Sequence, residues 1–294
     1  MSKDIWQHEL VDCVAARLPA GYTTDGEPAC EPTALAGLAM LAHQRMDAAH
    51  RAAGWLAEQQ ARNGTIGVTA SRSSPHWPTA LAMLVWHSID QATGGQEFKD
   101  HLSRAIDWSL AEHGKPAPRS AQFGHDSTIA GWSWAANTHS WLEPTAMFVL
   151  ALKSVGHSQH ARTRDGVRLL IDRQLPNGGC NYGNTIVLGQ PLLAHAQPTG
   201  LAMLALAGEG YDDPRTERSL RFLERELSQQ TATASLCYGV LGLAAHGRAP
   251  ATRDTWLRQT YSRVVTHNSS PHKLALIALA AADHNVMISK TVLK

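Results

Sequence analysis

Glu31-Pro32-Thr33-Ala34-Leu35 opens the stretch EPTALAGLAML (31–41), and the same string returns along the chain. It recurs as Trp77-Pro78-Thr79-Ala80-Leu81 in WPTALAMLVW and as Glu143-Pro144-Thr145-Ala146-Met147 in EPTAMFVLAL. A fourth copy is Gln197-Pro198-Thr199-Gly200-Leu201 in QPTGLAMLAL. Two weaker copies lie further on, TASLCYGVLGLAA from Thr233 and SPHKLALIALAA from Ser270. Proline suits the first turn of a helix, where its missing N–H goes unused, and it pushes the preceding residue away from helical geometry. Each Pro-Thr therefore predicts a helix start, near 32, 78, 144 and 198, and the two weaker copies predict starts near 234 and 271. The residues after each Pro-Thr are Ala, Leu, Met and Val with almost no polar face, the pattern of a helix buried on all sides.

Amphipathic segments lie between these buried ones. They are 46–62, 98–113, 161–175, 213–227 and 252–267, with 4–18 supplying one more. Each carries an apolar stripe at helical spacing and a charged opposite face. Strict alternation of six buried and six amphipathic helices predicts about six tandem helical hairpins. An open solenoid would keep a wet concave face, and these inner helices are too apolar to line one. The expected fold is therefore all-α, a single α/α toroid spanning 1–294 with inner and outer helix rings.

Composition narrows the function. The 44% apolar content of the 294 residues is enough for a sizeable core. Twenty-six Lys and Arg balance 25 Asp and Glu, which excludes the basic footprint of a nucleic-acid binder. No stretch reaches transmembrane length, and the N-terminal segment lacks an apolar signal core. Cys13, Cys30, Cys180 and Cys237 are scattered, with no Cys-x-x-Cys pair. A cytoplasmic protein with reduced thiols is expected.

The outer-helix ends WLAEQQARNGTIGV (55–68) and LLIDRQLPNGGCNYGN (169–184) resemble the Gln-Trp repeats of squalene and oxidosqualene cyclases. Gln59 or Gln60 precedes Gly64, and Gln174 precedes Gly178 and Gly179, although Ile66 and Cys180 stand near the usual aromatic position. Over about 29–280 the chain is similar to terpene cyclases, prenyltransferases and short bacterial proteins with prenyltransferase and squalene-oxidase repeats. That resemblance implies an isoprenoid substrate in an apolar cavity. The Asp-x-Asp-Asp acid of class II cyclases is absent. In protein prenyltransferases an Asp-x-Cys-Tyr element and a histidine bind zinc. Ser235-Leu236-Cys237-Tyr238 and His272 match it in part, so the resemblance implies Cys237 and His272 as ligands of zinc, with magnesium as the other metal to test. It also allows a partner subunit or a homo-oligomer.

In a toroid all inner helices start at one rim, so the residues around each Pro-Thr are expected to converge there. Glu31, Glu143, His195 and His76 are the expected proton-transfer groups, with Asp126 beside His125 as a further acid–base pair. Trp77, Trp141, Trp134, Tyr182 and Gln197 are expected to bind substrate. The long non-helical stretches 114–140 and 176–196 are expected to act as binding loops or lids. Two other readings stay open. Glu31 and Glu143 could serve as carboxylates of a glycosidase or lyase. The chain could also be a scaffold that kept the fold without the chemistry.

Overall fold

The structure is a computed structural model that describes residues 3–210, 213–284 and 286–288. The fold is all-α, of the α/α-toroid class expected from the repeat. Among the described residues the buried helices are α2 (Cys30–Ala42), α4 (Thr79–Thr93), α6 (Leu142–Ser154), α8 (Ala196–Leu206), α10 (Thr233–Ala245) and α12 (Pro271–Ala281). The amphipathic ones are α1 (Lys3–Ala16), α3 (Met46–Glu58), α5 (Lys99–Ala111), α7 (Ala161–Asp172), α9 (Pro214–Glu226) and α11 (Arg253–His267). A two-residue hairpin, β1 (Ile186–Val187) and β2 (Gln190–Pro191), completes the elements used below. None of these helices is long and apolar enough to cross a membrane. All four cysteines are free.

The contacts sort the chain into two compact units. The first holds 1–109 and 251–287, the second 110–250 and 288–294. In the first unit α2 is the hub, packing on α12, α3 and α4. Every residue of α2 except Glu31 is buried, as the absence of a polar face requires. In the second unit α8 takes that place, packing on α10, α6 and α9, while α7 covers α6.

The helix starts differ from expectation by a turn fraction, with consequence for two glutamates. Pro32, Pro144 and Pro198 are each the third residue of their helix. The extended residues are Ala29, Trp141 and His195, three positions before the proline. Proline is tolerated anywhere in the first turn, because those N–H groups have no intrahelical acceptor. Glu31, Glu143 and Gln197 therefore lie within the first turn rather than ahead of it.

The threonine of the repeat has a role that its helix-start reading misses. Its Oγ1 accepts the amide of an incoming segment: Ala20 N to Thr33 at 2.9 Å, Ile66 N to Thr79 at 2.9 Å, Trp132 N to Thr145 at 3.0 Å, and Cys180 N to Thr199 at 2.8 Å. The same hydroxyls donate to backbone carbonyls; Thr145 reaches Trp141 O at 2.6 Å and Thr199 reaches His195 O at 2.6 Å. All four threonines are fully buried. Each staples the loop before an inner helix onto that helix, satisfying a backbone donor that burial would otherwise orphan. Thr145→Val keeps the shape and removes the hydroxyl. It is expected to cost about 1–3 kcal/mol, the penalty of an unsatisfied buried amide, read as a lowered midpoint in urea unfolding followed by circular dichroism.

The Gln…Gly elements are a second staple. Gln60 Nε2 donates to His101 O at 2.8 Å, and its Oε1 accepts from Arg104 Nη2 at 2.6 Å. Both partners lie on α5, so the end of α3 is tied to the next outer helix. Gln174, after α7, repeats the arrangement: its Oε1 accepts from Ser219 Oγ at 2.8 Å, and its Nε2 donates to Thr216 Oγ1 at 3.2 Å, both on α9. Gly64 and Gly178 make this approach feasible. They have φ of +91° and +88°, and a Cβ there would lie 2.2 Å from Arg104 O and 2.4 Å from Arg218 C. Both positions thus demand glycine twice over, for conformation and for space.

Two long loops of the second unit are anchored. Arg162 on α7 donates to Ala130 O at 2.8 Å and to Glu112 O at 2.9 Å. Its guanidinium lies 4.1 Å from the ring centroid of Trp132, so loop 112–141 is held at Glu112 and around 130–132. The 173–195 segment is pinned by the Gln174 staple and by Leu142 N donating to Tyr182 O at 2.9 Å.

Candidate functional site

In the second unit the starts of α6 and α8 bring together five of the expected residues. Glu143 is 6% exposed. Its Oε1 accepts from Gln197 Nε2 at 2.8 Å, linking the first turns of the two helices. The amide of His195 donates to Cys180 O at 2.9 Å, which sets His195 beside the 176–196 loop. The His195 ring lies 5.3 Å from that of Tyr182. Burial, and secondarily the charge of Glu143, push the Tyr182 phenol up, so it keeps its proton and can donate. Trp141, the extended residue before α6, lies 4.6 Å from the ring of His139. Tyr182 and His195 are exposed and Trp141 is half-buried. The result is one shielded carboxylate among an amide, an imidazole and accessible ring faces, with Asn181 donating from its side chain to Leu193 O at 2.7 Å.

The first unit holds a second carboxylate in different company. Tyr22 OH donates to Glu31 Oε2 at 2.5 Å. His272 Nε2 lies 3.7 Å from Glu31 Oε1, and its ring is 5.3 Å from that of Tyr22. Ser270, the N-cap of α12, donates to Tyr22 O at 2.6 Å and fixes that loop against the helix start. Burial first, then the Glu31 charge, push the Tyr22 phenol up, so it remains a donor toward the carboxylate. Sequence reasoning missed Tyr22. It lies in an irregular loop nine residues before Glu31, and no periodicity marks it.

The remaining expected residues are placed otherwise. His76 packs edge-on against Trp108, with centroids 5.7 Å apart, and its carbonyl accepts from Thr79 Oγ1 at 2.7 Å. It helps start α4. Trp77 and Trp134 are half-buried. Trp132, two residues before Trp134, lies in the core, stacked on Phe148 at 5.2 Å. Asp126 accepts from Thr128 Oγ1 at 2.6 Å and from Thr128 N at 3.0 Å. Those bonds hold its carboxyl below the ordinary range, the state of a turn cap rather than of a proton donor. Cys237 is fully buried, and burial pushes its thiol up, away from the thiolate a metal would need. His272, its expected companion as a ligand, lies instead beside Glu31 and Tyr22. Among the described residues no group of three or more His, Cys, Asp or Glu could hold a metal ion.

His125 is titratable in a useful way. Burial, followed by the charge of Arg173, pulls its imidazole down from 6.5 to about 4. The unfolded chain would take up that proton near the ordinary value, the folded chain only near the lower one. Its contribution is therefore complete above the ordinary value and is lost as pH falls toward about 4. His125→Gln is expected to flatten the acid side of a melting-temperature profile over that window. An unchanged slope would remove His125 from the acid response.

No protein-family model and no curated protein matches the sequence. Solved structures do. Two glycosidase variants share this fold. One, with a glutamate replaced by alanine, superposes with a TM-score of 0.62 at 10% identity, covering 97% of this chain and 98% of that one. The other, with a phenylalanine replaced by tyrosine, gives 0.60 at 10% identity with the same coverage. A protein from Actinoplanes gives 0.55 at 15% identity over 90% of this chain and 81% of that one. These neighbours overturn the expected membership among terpene cyclases and prenyltransferases, and with it the isoprenoid substrate. The physical reason is visible in the residues that carried the resemblance. Gln60, Gln174, Gly64, Gly178 and the Pro-Thr strings are staples between helices, which any toroid of this kind can use whatever it binds.

Proposed function

We propose that the chain is a carbohydrate-active enzyme that cleaves glycosidic bonds, with Glu143 as the carboxyl group that meets the sugar. The observation that carries this reading is the Glu143–Gln197 pair beside Tyr182, Trp141 and His195. Glycoside cleavage needs a carboxyl group at the glycosidic oxygen or at the attacking water. Sugar hydroxyls need convergent donors and acceptors, which Gln197, His195 and Asn181 offer, and sugar rings stack on aromatic faces such as Tyr182 and Trp141. The glycosidase neighbours support the choice of substrate class, since they adopt the same fold over nearly the whole chain. In the first unit Glu31, with Tyr22 and His272, is a second carboxylate suited to proton transfer.

The test is a panel of aryl glycosides and oligosaccharides incubated with the purified chain, with product release followed by chromatography. Cleavage of one sugar class, weakened by Glu143→Gln, is the expected result. A panel in which nothing is cleaved and nothing raises the melting temperature would sink the reading and leave a non-catalytic scaffold.

A further inference from the structure

Of the eight exposed large apolar side chains among the described residues, five lie in the second unit outside its α-helices: Phe123, Tyr182, Val187, Leu188 and Leu193. Leu188 is 96% exposed and Leu193 78%. The segments that carry them are joined. Thr185 Oγ1 donates to Phe123 O at 2.9 Å, and Leu192 N donates to Thr185 O at 2.9 Å across the β1–β2 hairpin. Asn181 holds the carbonyl of Leu193 next to Tyr182.

Leu188 is the least explicable of them by packing. It sits at the hairpin tip with φ +50°, followed by Gly189 at φ +75°. A turn of this kind favours Asn-Gly, and a leucine in the left-handed region is disfavoured. The side chain gains nothing from the core to offset that. An outlying backbone angle under a fully solvated apolar group points to a function outside the fold.

Resting on the carbohydrate reading, we propose that this hairpin binds the apolar aglycone of a glycoside whose sugar lies at Glu143. Two observations select this occupant. The patch adjoins the proposed sugar site along the chain: Leu193 is two residues before His195, and its carbonyl accepts from Asn181, the neighbour of Tyr182. The hairpin segment itself is uncharged, with no Asp, Glu, Lys or Arg from Leu175 to Gly208, and on the joined Phe123 segment Arg119 is offset by Asp126, 3.9 Å away. A membrane-surface site would call for basic residues beside the apolar tip. An uncharged apolar edge next to hydroxyl-binding groups suits a neutral amphiphile, sugar at one end and alkyl or aryl at the other.

The experiment uses the whole chain and matched methyl and octyl glycosides of glucose, galactose, mannose and xylose, below micelle-forming concentration, with 1-octanol as the sugar-free probe. Calorimetric affinities are compared with those of the double variant Leu188→Asn, Leu193→Gln. Asparagine tolerates the left-handed region, so this variant should fold at least as well as the wild type. The expected result is that one octyl glycoside binds about tenfold or more tighter than its methyl partner, from several methylenes leaving water. The double variant should lose that preference while its methyl glycoside affinity stays the same. Equal affinity of the two partners overturns the aglycone proposal and leaves the carbohydrate reading standing. Binding of no glycoside at all overturns both. Tight binding of 1-octanol alone overturns it in favour of a general lipid surface. Self-association in sedimentation velocity that the double variant abolishes overturns it in favour of an interface between copies.

Discussion

Glu143→Gln is expected to lower turnover of a cleaved glycoside by roughly 10²–10⁴-fold, the span of a lost general acid or base, with the Michaelis constant within a few-fold of wild type. Glutamine keeps the volume of glutamate, and its side-chain oxygen can still accept from Gln197 Nε2, which lies 2.8 Å from Glu143 Oε1. The first turns of α6 and α8 should therefore stay linked. What is lost is the ability to give or take a proton. Glu143→Ala makes the contrast. It strands the Gln197 amide, and it should cost about 1–3 kcal/mol of stability on top of the activity. Loss of turnover in both variants with loss of stability only in alanine assigns chemistry to the carboxyl group. Wild-type turnover in Glu143→Gln would reduce Glu143 to a link between two helices and shift the chemistry toward Glu31.

The largest stability effect is expected at Gly64. Alanine there would place its Cβ 2.2 Å from Arg104 O and 2.5 Å from Arg104 C, at a φ of +91°. The left-handed conformation costs roughly 1–2 kcal/mol for an alanine, and forcing backbone apart adds about 1–3 kcal/mol. The sum, roughly 2–5 kcal/mol, is a large share of the 5–15 kcal/mol typical of a domain. The damage should spread, because Gln60 is bonded to His101 O and Arg104 Nη2 through the same turn. Urea unfolding of Gly64→Ala should show a midpoint lowered well beyond that of Thr145→Val, a variant that loses one hydroxyl without a clash. A Gly64→Ala midpoint equal to wild type would mean that α5 can slide away from α3, and that the staple is not rigid.

The helices were legible without coordinates. Their number, their alternation and their ends could be read to within a few residues because burial leaves a direct trace: a helix surrounded by neighbours has no polar face, as in α2, and one against solvent has a stripe, as in α7. The placement of five candidate residues, Trp141, Glu143, Tyr182, His195 and Gln197, was legible for a related reason. Four of them lie within two residues of a helix start, where a repeat must place equivalent positions alike. What those residues touch emerges only on folding. Thr33, Thr79, Thr145 and Thr199 clamp segments at least 13 residues away, and no local pattern marks the partner of a side-chain hydrogen bond. Tyr22 meets His272 across 250 positions of chain, a distance at which composition and periodicity carry no information. The mistaken isoprenoid assignment has the same origin. A motif that holds helices together is selected by packing geometry, and packing geometry is shared among proteins whose cavities bind different chemistry.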